Sequence, residues 1–360
     1  MYPETIDAIG ITDVKQWTKP SRFSYTPQEF RDYDVDIEIE ACGICGSDIH
    51  TVKCNWGDIY TPMAVGHEIV GKVVKIGPKA KAGLKLGDRV GVGAQCDACG
   101  TCARCCKHYE NNCLNAVDTY YSAYPSGIKT QGGDASHIRV NSKFAFKIPD
   151  NISSEHAAPL MCGGITGVSP LFQNNVGKGS KVGVQGIGGI GHMTVLYAKA
   201  MGAEVTAISR SRSKEADSKK LAVDHYIATA EKGWEEKYKD TLDLIVITAS
   251  SFSEGEFDKV LTLLTARGKI VFITAPPITE SLKITPFSML RSGYSVGGSV
   301  IGSPDDIDFL LEFTSKNNIK PWVETFDISE EGLGKAWEYV DSGKPRYRVT
   351  MVGYDKAFKK

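Results

Sequence analysis

The stretch SKVGVQGIGGIG, residues 180–191, decides the fold class. An apolar strand runs into a glycine-rich turn, and the following HMTVLYAKAMG, residues 192–202, has a helical pattern. The glycines fit G-x-G-x-x-G in the strand–turn–helix context that gives this motif its specificity. The pattern is typical of a dinucleotide-binding turn with phosphates at the helix N-terminus, and a turn without a ligand is the alternative. The candidate cofactor contacts are Gly186, Gly188, Gly189, Ile190 and Gly191.

Strands and helices alternate around this turn, which predicts an α/β fold with a parallel, doubly wound sheet. The first part of the chain differs, because its short alternating strands and frequent glycines indicate a β-rich, barrel-like domain. After about residue 300 a helix and short strands return. The simplest interpretation is a nucleotide domain, residues 156–298, inserted between residues 1–155 and 299–360 of a discontinuous catalytic domain. Strands are predicted in residues 35–43, 68–77, 88–94, 204–210, 225–229, 242–250, 268–276, 323–328 and 347–353, and a helix in 305–318.

The composition is that of a folded protein of 360 residues, with 42% hydrophobic and 24% charged residues. The net charge of −1 produces no global field that would recruit nucleic acid or anionic lipid. The N-terminus lacks the basic and apolar regions of a signal peptide, and the apolar runs are strand-length. We therefore expect a cytoplasmic protein with a small-molecule partner, and neither nucleic acid nor membrane.

The tip of the second nucleotide-domain strand predicts which nicotinamide cofactor is used. An NAD site usually carries Asp or Glu there, to hold the ribose 2′-hydroxyl. Here the strand ends in SRSRSK, residues 209–214, while Glu204 opens the strand and Asp217 lies in the next helix. A hydroxyl and cationic side chains favour a 2′-phosphate. We predict NADP(H), bound through Ser209, Arg210 and Lys214; a solvated basic loop is the alternative.

Six of the ten cysteines fall between Cys96 and Cys113, in a lobe of about residues 95–114. Cys99, Cys102 and Cys105 follow C-x2-C-x2-C, and four thiolates with Cys113 would form a closed structural zinc site. Zinc would contribute most of the folding energy of so small a lobe. Spacing alone does not determine which four cysteines bind the metal, since Cys96 extends the three-residue repeat and Cys106 could replace Cys105 as a ligand. An iron–sulfur cluster and unligated surface thiols are lesser alternatives.

Three further elements are informative only together: ACGICGSDIH (41–50), GHEIVGKVVKIG (66–77) and PLMCGGIT (159–166). With the cysteine lobe, GIGGIG and ISRSRSK, they give the chain a resemblance to the zinc-dependent medium-chain alcohol dehydrogenases over nearly its whole length. It is most similar to the cinnamyl alcohol dehydrogenase branch, which includes NADP-dependent yeast enzymes. The resemblance implies a Rossmann domain inserted in a GroES-like catalytic domain, and a homodimer. It also implies hydride transfer between NADP(H) and primary alcohols or aldehydes, cinnamyl-type, aromatic or medium-chain aliphatic, with zinc as Lewis acid.

The same resemblance implies roles for individual residues of the reaction centre. Cys45, His67 and Cys162 match the catalytic zinc ligands, and Glu68 matches a carboxylate that can approach the metal. Two thiolates and one imidazole leave an open position on Zn²⁺, as catalytic zinc requires. Ser47 and His50 match positions of a proton relay.

The resemblance also resolves the cysteine lobe, in favour of Cys99, Cys102, Cys105 and Cys113, so that two zinc ions per chain are expected. Thr166 lies where members of the family contact the cofactor, and Arg348 is a candidate contact of the cofactor or the substrate. No ligand position remains for the other four cysteines. We interpret Cys42 as core, and Cys54, Cys96 and Cys106 as incidental.

Two alternatives stay open beside this reading. A polyol or sugar dehydrogenase of the same superfamily would share fold and zinc, although the basic tip disfavours its NAD-linked members. A non-catalytic zinc- and nucleotide-binding protein would be expected to lack a catalytic ligand. The substrate is not determined by the motifs; Trp56 and Tyr294 are candidate lining aromatics, with ordinary packing as the alternative for Trp56.

Overall fold

The computed structural model describes residues 3–249, 255–274 and 286–358. The chain divides into two compact units: the β-rich unit, Met1–Ile165 with Gly302–Lys360, and the nucleotide unit, Thr166–Ile301. The division falls after residues 165 and 301, whereas the domain limits predicted from sequence are 155 and 298. The β-rich unit is thus assembled from two separated parts of the chain.

The N-terminal part of the β-rich unit is formed mainly by short strands. They begin and end at β1 (Ile6–Gly10), β2 (Ser21–Tyr25), β3 (Asp34–Ile44), β4 (Glu68–Ile76), β5 (Arg89–Val92), β6 (Gln95–Asp97), β7 (Val117–Asp118), β8 (His137–Asn141) and β9 (Phe146–Lys147). The helices are α1 (Gly46–Val52), α2 (Ser154–Ala157) and α3 (Gly163–Gln173), the last of which runs through the division point.

The nucleotide unit alternates strand and helix, as the sequence predicts. Its elements are β10 (Lys181–Gln185), α4 (Gly191–Ala200), β11 (Glu204–Ser209), α5 (Glu215–Lys220), β12 (His225–Ala228), α6 (Trp234–Lys237), β13 (Leu242–Ile247), α7 (Glu256–Leu261), β14 (Leu264–Phe272), α8 (Pro286–Ser292) and β15 (Ser295–Gly298). All six strands are parallel, in the order β12-β11-β10-β13-β14-β15. Counted from β10, this is the 3-2-1-4-5-6 order of a Rossmann sheet, which confirms the predicted doubly wound fold.

The chain then returns to the β-rich unit through α9 (Pro304–Asn317), β16 (Val323–Asp327), α10 (Glu330–Asp341), β17 (Arg348–Val352) and α11 (Tyr354–Phe358). Here the sheet order is β16-β17-β3-β4-β5-β9, with β8 paired to β3. Only β16 and β17 run parallel among these pairs. The return segment therefore supplies two strands of the seven-stranded sheet.

Each unit has its own apolar core, built from the inward faces of its strands. In the nucleotide unit Ile208, Ile245 and Ile270 are fully buried, on three strands of the sheet. In the β-rich unit Ile37 of β3 packs with Trp337 of α10 in one cluster. Burial of each such β-branched or aromatic side chain stabilises the fold by about 1.5–3 kcal/mol. The two cores therefore hold the strands whose ends carry the candidate site residues.

Candidate active site and metal centres

Cys45, His67, Glu68 and Cys162 come together in the β-rich unit. All four are buried, and one ligand atom from each lies within 4.8 Å of the others. The pairing of β3 with β4 places Gly43 opposite Glu68, so the ends of these strands meet. The register therefore brings together cysteine and histidine residues that lie far apart in the sequence.

The His67 ring is oriented by a carboxylate and an aromatic ring. His67 Nδ1 lies 3.4 Å from Asp48 Oδ1, and the ring stacks on Tyr120 with centroids 5.4 Å apart. The other nitrogen, Nε2, is buried and has no hydrogen-bond partner in the described part of the chain. A carboxylate behind one nitrogen and an unpaired second nitrogen are typical of a metal-ligating histidine. Together with two thiols, this donor set fits catalytic zinc.

Asp48 is a further candidate residue of the site that sequence reasoning missed. Its carboxylate accepts the backbone N–H of Cys45 at 2.7 Å and that of Gly66 at 3.2 Å, in addition to facing His67. It thus connects the chain at two of the candidate ligands. The available signal was a charged residue in the first turn of a helix directly after a candidate ligand, at a position that is buried here.

Glu68 and Arg348 form a buried ion pair beside the candidate ligands. Arg348 Nη2 lies 2.5 Å from Glu68 Oε2 and 3.0 Å from the carbonyl oxygen of Ile44. The second carboxylate oxygen of Glu68 accepts the backbone N–H of Gly163 at 3.0 Å. Both oxygens of Glu68 are therefore hydrogen-bonded to protein groups. The cofactor contact predicted for Arg348 stays a prediction, since its contacts here are with Glu68 and Ile44.

The second cluster consists of four thiols in the lobe between β6 and β7. Four of their Sγ–Sγ distances lie between 3.5 and 3.9 Å. Zn–S bonds of about 2.3 Å in a tetrahedron require sulfur separations of about 3.8 Å, so the cluster fits zinc. Backbone N–H groups of Thr101 and Cys102 lower the pKa of the Cys99 thiol to about 6. The four members are Cys99, Cys102, Cys105 and Cys113.

The remaining cysteines lie apart from both clusters. Cys96 is buried with its Sγ 3.4 Å from the carbonyl oxygen of Val117, and burial raises the pKa of its thiol to about 12. It belongs to the apolar core, so the interpretation of Cys96 as incidental was wrong. Cys106 is exposed, Cys54 is partly exposed, and Cys42 is buried in the core as expected.

Ser47 and His50 lie on α1, directly after Cys45. Ser47 Oγ is 3.7 Å from Cys45 Sγ. His50 Nδ1 is 3.0 Å from Asn55 Nδ2, and the His50 ring stacks on Trp56 with centroids 4.9 Å apart. An amide N–H donating to Nδ1 leaves the proton of a neutral imidazole on Nε2. Trp56 thus packs on a candidate relay residue.

The place of Tyr294 in the substrate cleft stays a prediction. Its hydroxyl donates to the carbonyl oxygen of Leu264 at 3.2 Å, and its ring packs against the apolar core of the nucleotide unit. The ring therefore contributes to packing of the nucleotide unit.

The glycine-rich turn has the geometry that its motif predicts. Gly186 has φ of +98°, and a Cβ on Gly191 would stand 1.9 Å from the carbonyl oxygen of Gly186. A Cβ on Gly188, in contrast, would meet nothing within 4 Å. This open approach to the backbone, at the start of α4, fits a pyrophosphate. Gly189 and Ile190 complete the turn, and the carbonyl of Gly188 accepts from the ring of His192.

The strand tip after β11 exposes basic side chains. Ser209 ends the strand, Arg210 is exposed, and Lys214 is partly exposed at the end of a short 3₁₀ turn. The Arg210 side chain has no ion-pair partner among the described residues. No carboxylate stands between residues 209 and 214, so the tip fits a 2′-phosphate better than a ribose hydroxyl. Thr166, the other predicted cofactor residue, is buried in α3.

Among the described residues, no helix is long and apolar enough to cross a membrane.

Two family models match the chain. Residues 31–150 match the model described as alcohol dehydrogenase GroES-like domain, and residues 189–316 match zinc-binding dehydrogenase. Together they span more than half of the 360 residues.

Individual proteins match over nearly the full length. The chain is 48% identical over 358 residues to NADP-dependent alcohol dehydrogenase 6 of Saccharomyces cerevisiae, with 99% of both proteins covered. A cinnamyl alcohol dehydrogenase from Sorghum bicolor has a TM-score of 0.91 at 30% identity, with 99% of both chains covered. The CAD from Helicobacter pylori, solved as a complex with NADP(H), has a TM-score of 0.88 at 31% identity, covering 98% of this chain and 99% of its own.

Proposed function

The chain belongs to the zinc-binding alcohol dehydrogenase family, and we propose that it interconverts primary alcohols and aldehydes with NADP(H). The substrate class we favour is cinnamyl-type, aromatic and medium-chain aliphatic aldehydes. The observation that carries the proposal is the buried set of two thiols and one imidazole whose Nε2 has no partner in the described chain. A non-catalytic nucleotide-binding protein would not need this open ligand set beside relay residues.

The proposed catalytic zinc ligands are Cys45, His67 and Cys162, with Glu68 as a carboxylate within reach. When bound, zinc supplies a Lewis acid for the carbonyl oxygen and the nicotinamide supplies the hydride. Asp48 accepts backbone N–H groups near two ligands and restricts the rotation of the His67 ring. Orientation by a carboxylate of this kind also increases the basicity of the ligating nitrogen.

Proton movement is assigned to Ser47 and His50. A serine hydroxyl can accept one proton and donate another by rotation, so Ser47 Oγ can pass a proton without moving its backbone. His50 is partly exposed, and its ring is held by Asn55 and Trp56. An imidazole can take up a proton at one ring nitrogen and release one from the other, which makes His50 the proposed exit of the relay.

The cofactor residues that we propose are the GIGGIG turn for the pyrophosphate, and Ser209, Arg210 and Lys214 for the 2′-phosphate. The open backbone at Gly188 and the exposed guanidinium of Arg210 support this assignment. Thr166 and Arg348 are further proposed contacts. We also propose a second, structural zinc bound by the four thiols of the lobe, giving two zinc ions per chain.

Initial rates with NADPH and NADH, across a panel of aldehydes, ketones and sugars, test the proposed function. We expect NADPH to give the higher kcat/KM, and cinnamaldehyde and medium-chain aldehydes to be the best substrates. The physical reason is that cationic side chains and a hydroxyl at the strand tip attract a phosphate. Sugars or polyols turned over better than any aldehyde would favour the polyol dehydrogenase alternative. Zinc- and NADPH-bound protein that turns over no substrate on the panel would contradict the proposal.

We propose a homodimer that associates through the outer edge of the nucleotide-unit sheet. β15 is the last strand of the sheet order, and the nearby α8 exposes Phe287 by 78% and Leu290 by 77%. Open strand edges and exposed apolar side chains favour association with a second copy. The two thiol-containing clusters would stay reduced and able to bind zinc in the cytoplasm, where we propose that the protein is located.

Light scattering during gel filtration should therefore give twice the 39.1 kDa mass of one chain. We expect Leu290→Glu to shift the protein toward the single-chain mass, because a carboxylate would be buried in the contact. Leu86→Glu is the matched control, since Leu86 is exposed by 68% in the β-rich unit. A wild-type mass of one chain at micromolar concentration, or equal masses for both variants, would contradict this interface.

A further inference from the structure

The basic tip, residues 209–214, does not act as one cationic surface. The Arg212 guanidinium is held by two carboxylates: Nε and Nη2 bond the two oxygens of Glu231 at 2.5 and 2.9 Å, and Nη1 bonds Glu215 at 3.0 Å. Arg210 has no such partner within the described chain. Arg212 is therefore unavailable as a direct phosphate ligand unless it gives up a bidentate ion pair.

Backbone hydrogen bonds place one of these carboxylates beside the tip. The N–H of Thr229 donates to the carbonyl oxygen of Ser209 at 2.8 Å, and that of Ala230 donates to Arg210 at 2.9 Å. Glu231 is the next residue after Ala230, so its backbone follows the segment paired with the tip, and its carboxylate is held at the tip by Arg212. The other carboxylate, Glu215, directly follows Lys214 in the chain.

Both carboxylates are ionised at neutral pH, because hydrogen bonds from Arg212 lower the pKa of Glu215 and of Glu231. Lys219 also lies 3.5 Å from Glu215. Glu231, in contrast, has Arg212 as its ion-pair partner among the described residues. Without the Arg212 charge, Glu231 would present an uncompensated negative charge at the basic tip. Such a charge would oppose the binding of a phosphate there.

We propose that Arg212 is a specificity-determining residue for NADP(H) that acts without touching the 2′-phosphate, by holding Glu231 and Glu215 in ion pairs. This inference rests on the proposed phosphate site at Ser209, Arg210 and Lys214. Exposed ion pairs contribute little to the free energy of unfolding, so we do not assign this ion pair a role in stability. Its proposed role is to keep the electrostatic potential at the tip favourable for a phosphate.

The test is calorimetric binding of adenosine 2′,5′-bisphosphate to the full-length, zinc-loaded protein, with adenosine 5′-monophosphate as the ligand lacking the 2′-phosphate. We expect Arg212→Gln to weaken bisphosphate binding about fivefold, from Coulomb energies at a solvated surface. Monophosphate binding should not change. Lys181→Gln is the control for loss of one positive charge, because Lys181 is exposed at the opposite end of β10 and should leave both affinities unchanged.

Glu231→Gln separates the electrostatic role from a structural one. If the ion pair merely braces the loop, removing either partner should weaken bisphosphate binding equally, and that result would overturn the inference. We expect the opposite sign: Glu231→Gln tightens bisphosphate binding or leaves it unchanged. The double variant Arg212→Gln/Glu231→Gln should then bind at least as tightly as the wild type.

Arg210→Gln distinguishes failure of this inference from failure of the proposed phosphate site. If Arg210→Gln and Lys214→Gln both bind the bisphosphate like the wild type, the phosphate is bound elsewhere and the proposed site is wrong. If Arg210→Gln weakens binding while Arg212→Gln does not, the site stands and the role of Arg212 is overturned.

Discussion

Replacing His67 with alanine is expected to remove one of two zinc ions per chain and to lower kcat/KM for aldehyde reduction by about 1,000-fold or more. The His67 ring is buried, and its Nε2 has no other partner in the described structure. Without it, only the two thiolates would be left as unengaged ligands, because Glu68 is held by Arg348, and catalytic zinc typically has three protein ligands. Lewis-acid stabilisation is worth several kcal/mol of the barrier, which gives the expected size.

Mass spectrometry of the purified protein measures the loss of zinc independently of activity. Circular dichroism checks that the variant is folded. His225→Ala is the matched control. His225 is exposed on β12 and lies 2.9 Å from Glu204, so its loss should change neither zinc content nor rate. A folded His67→Ala protein that keeps two zinc ions and wild-type turnover would show that His67 is not a ligand.

Much of the fold could be predicted because its signals are local. The turn at residues 186–191 combines an apolar strand with glycines at positions where a side chain would collide, as at Gly191 against Gly186. The strands flanking it are apolar runs of strand length, and β11 and β12 were found within one residue of their predicted limits. Such patterns depend on residues close in sequence, so no knowledge of tertiary contacts was needed.

The contacts that orient the site could not be predicted in the same way. Arg348 reaches Glu68 across 280 residues of sequence, and nothing near Arg348 indicates the direction of its side chain. Asp48 lies in a recognisable motif, yet its role follows only from the pairing of β3 with β4, which brings His67 beside it. The sequence around Arg212 likewise does not show its ion pair, because Glu231 lies 19 residues away.

The lobe illustrates where spacing alone leaves a choice. Cys96 continues the three-residue repeat of the cysteines, and Cys106 is adjacent to a member of the cluster. The distinction is physical: Cys96 lies within the core facing the carbonyl oxygen of Val117, whereas Cys99 lies 3.5 Å from Cys113. Strand β6 buries Cys96 before the chain enters the lobe.

Replacing Cys99 with serine is expected to remove the second zinc ion and to unfold the lobe locally. The sulfurs of the cluster stand at tetrahedral separations, and the two short 3₁₀ turns at Cys105–Lys107 and Glu110–Asn112 supply little buried apolar surface. Structural zinc sites contribute on the order of 10 kcal/mol to folding of such segments. We therefore expect zinc content to fall from two to one per chain. Limited proteolysis between residues 98 and 114 should be faster by about 100-fold or more, since opening no longer has to break four metal–sulfur bonds.

Cys106→Ser is the matched control for this substitution, since it makes the same chemical change one position from Cys105. The Cys106 side chain is exposed, and its Sγ lies 3.6 Å from the carbonyl oxygen of Thr101. For Cys106→Ser we expect two zinc ions and the protease resistance of the wild type. We also expect two zinc ions for Cys96→Ser, because the Cys96 thiol of the wild type is buried in the core and stays protonated. If Cys106→Ser lost zinc while Cys99→Ser retained it, the four thiols brought together here would not be the ligand set. Two zinc ions in both variants would mean that Cys99 is not a required ligand. Loss of zinc from Cys99→Ser without faster proteolysis would mean that the lobe is held by packing alone, which its exposed side chains, Tyr109 at 56% and Leu114 at 78%, argue against.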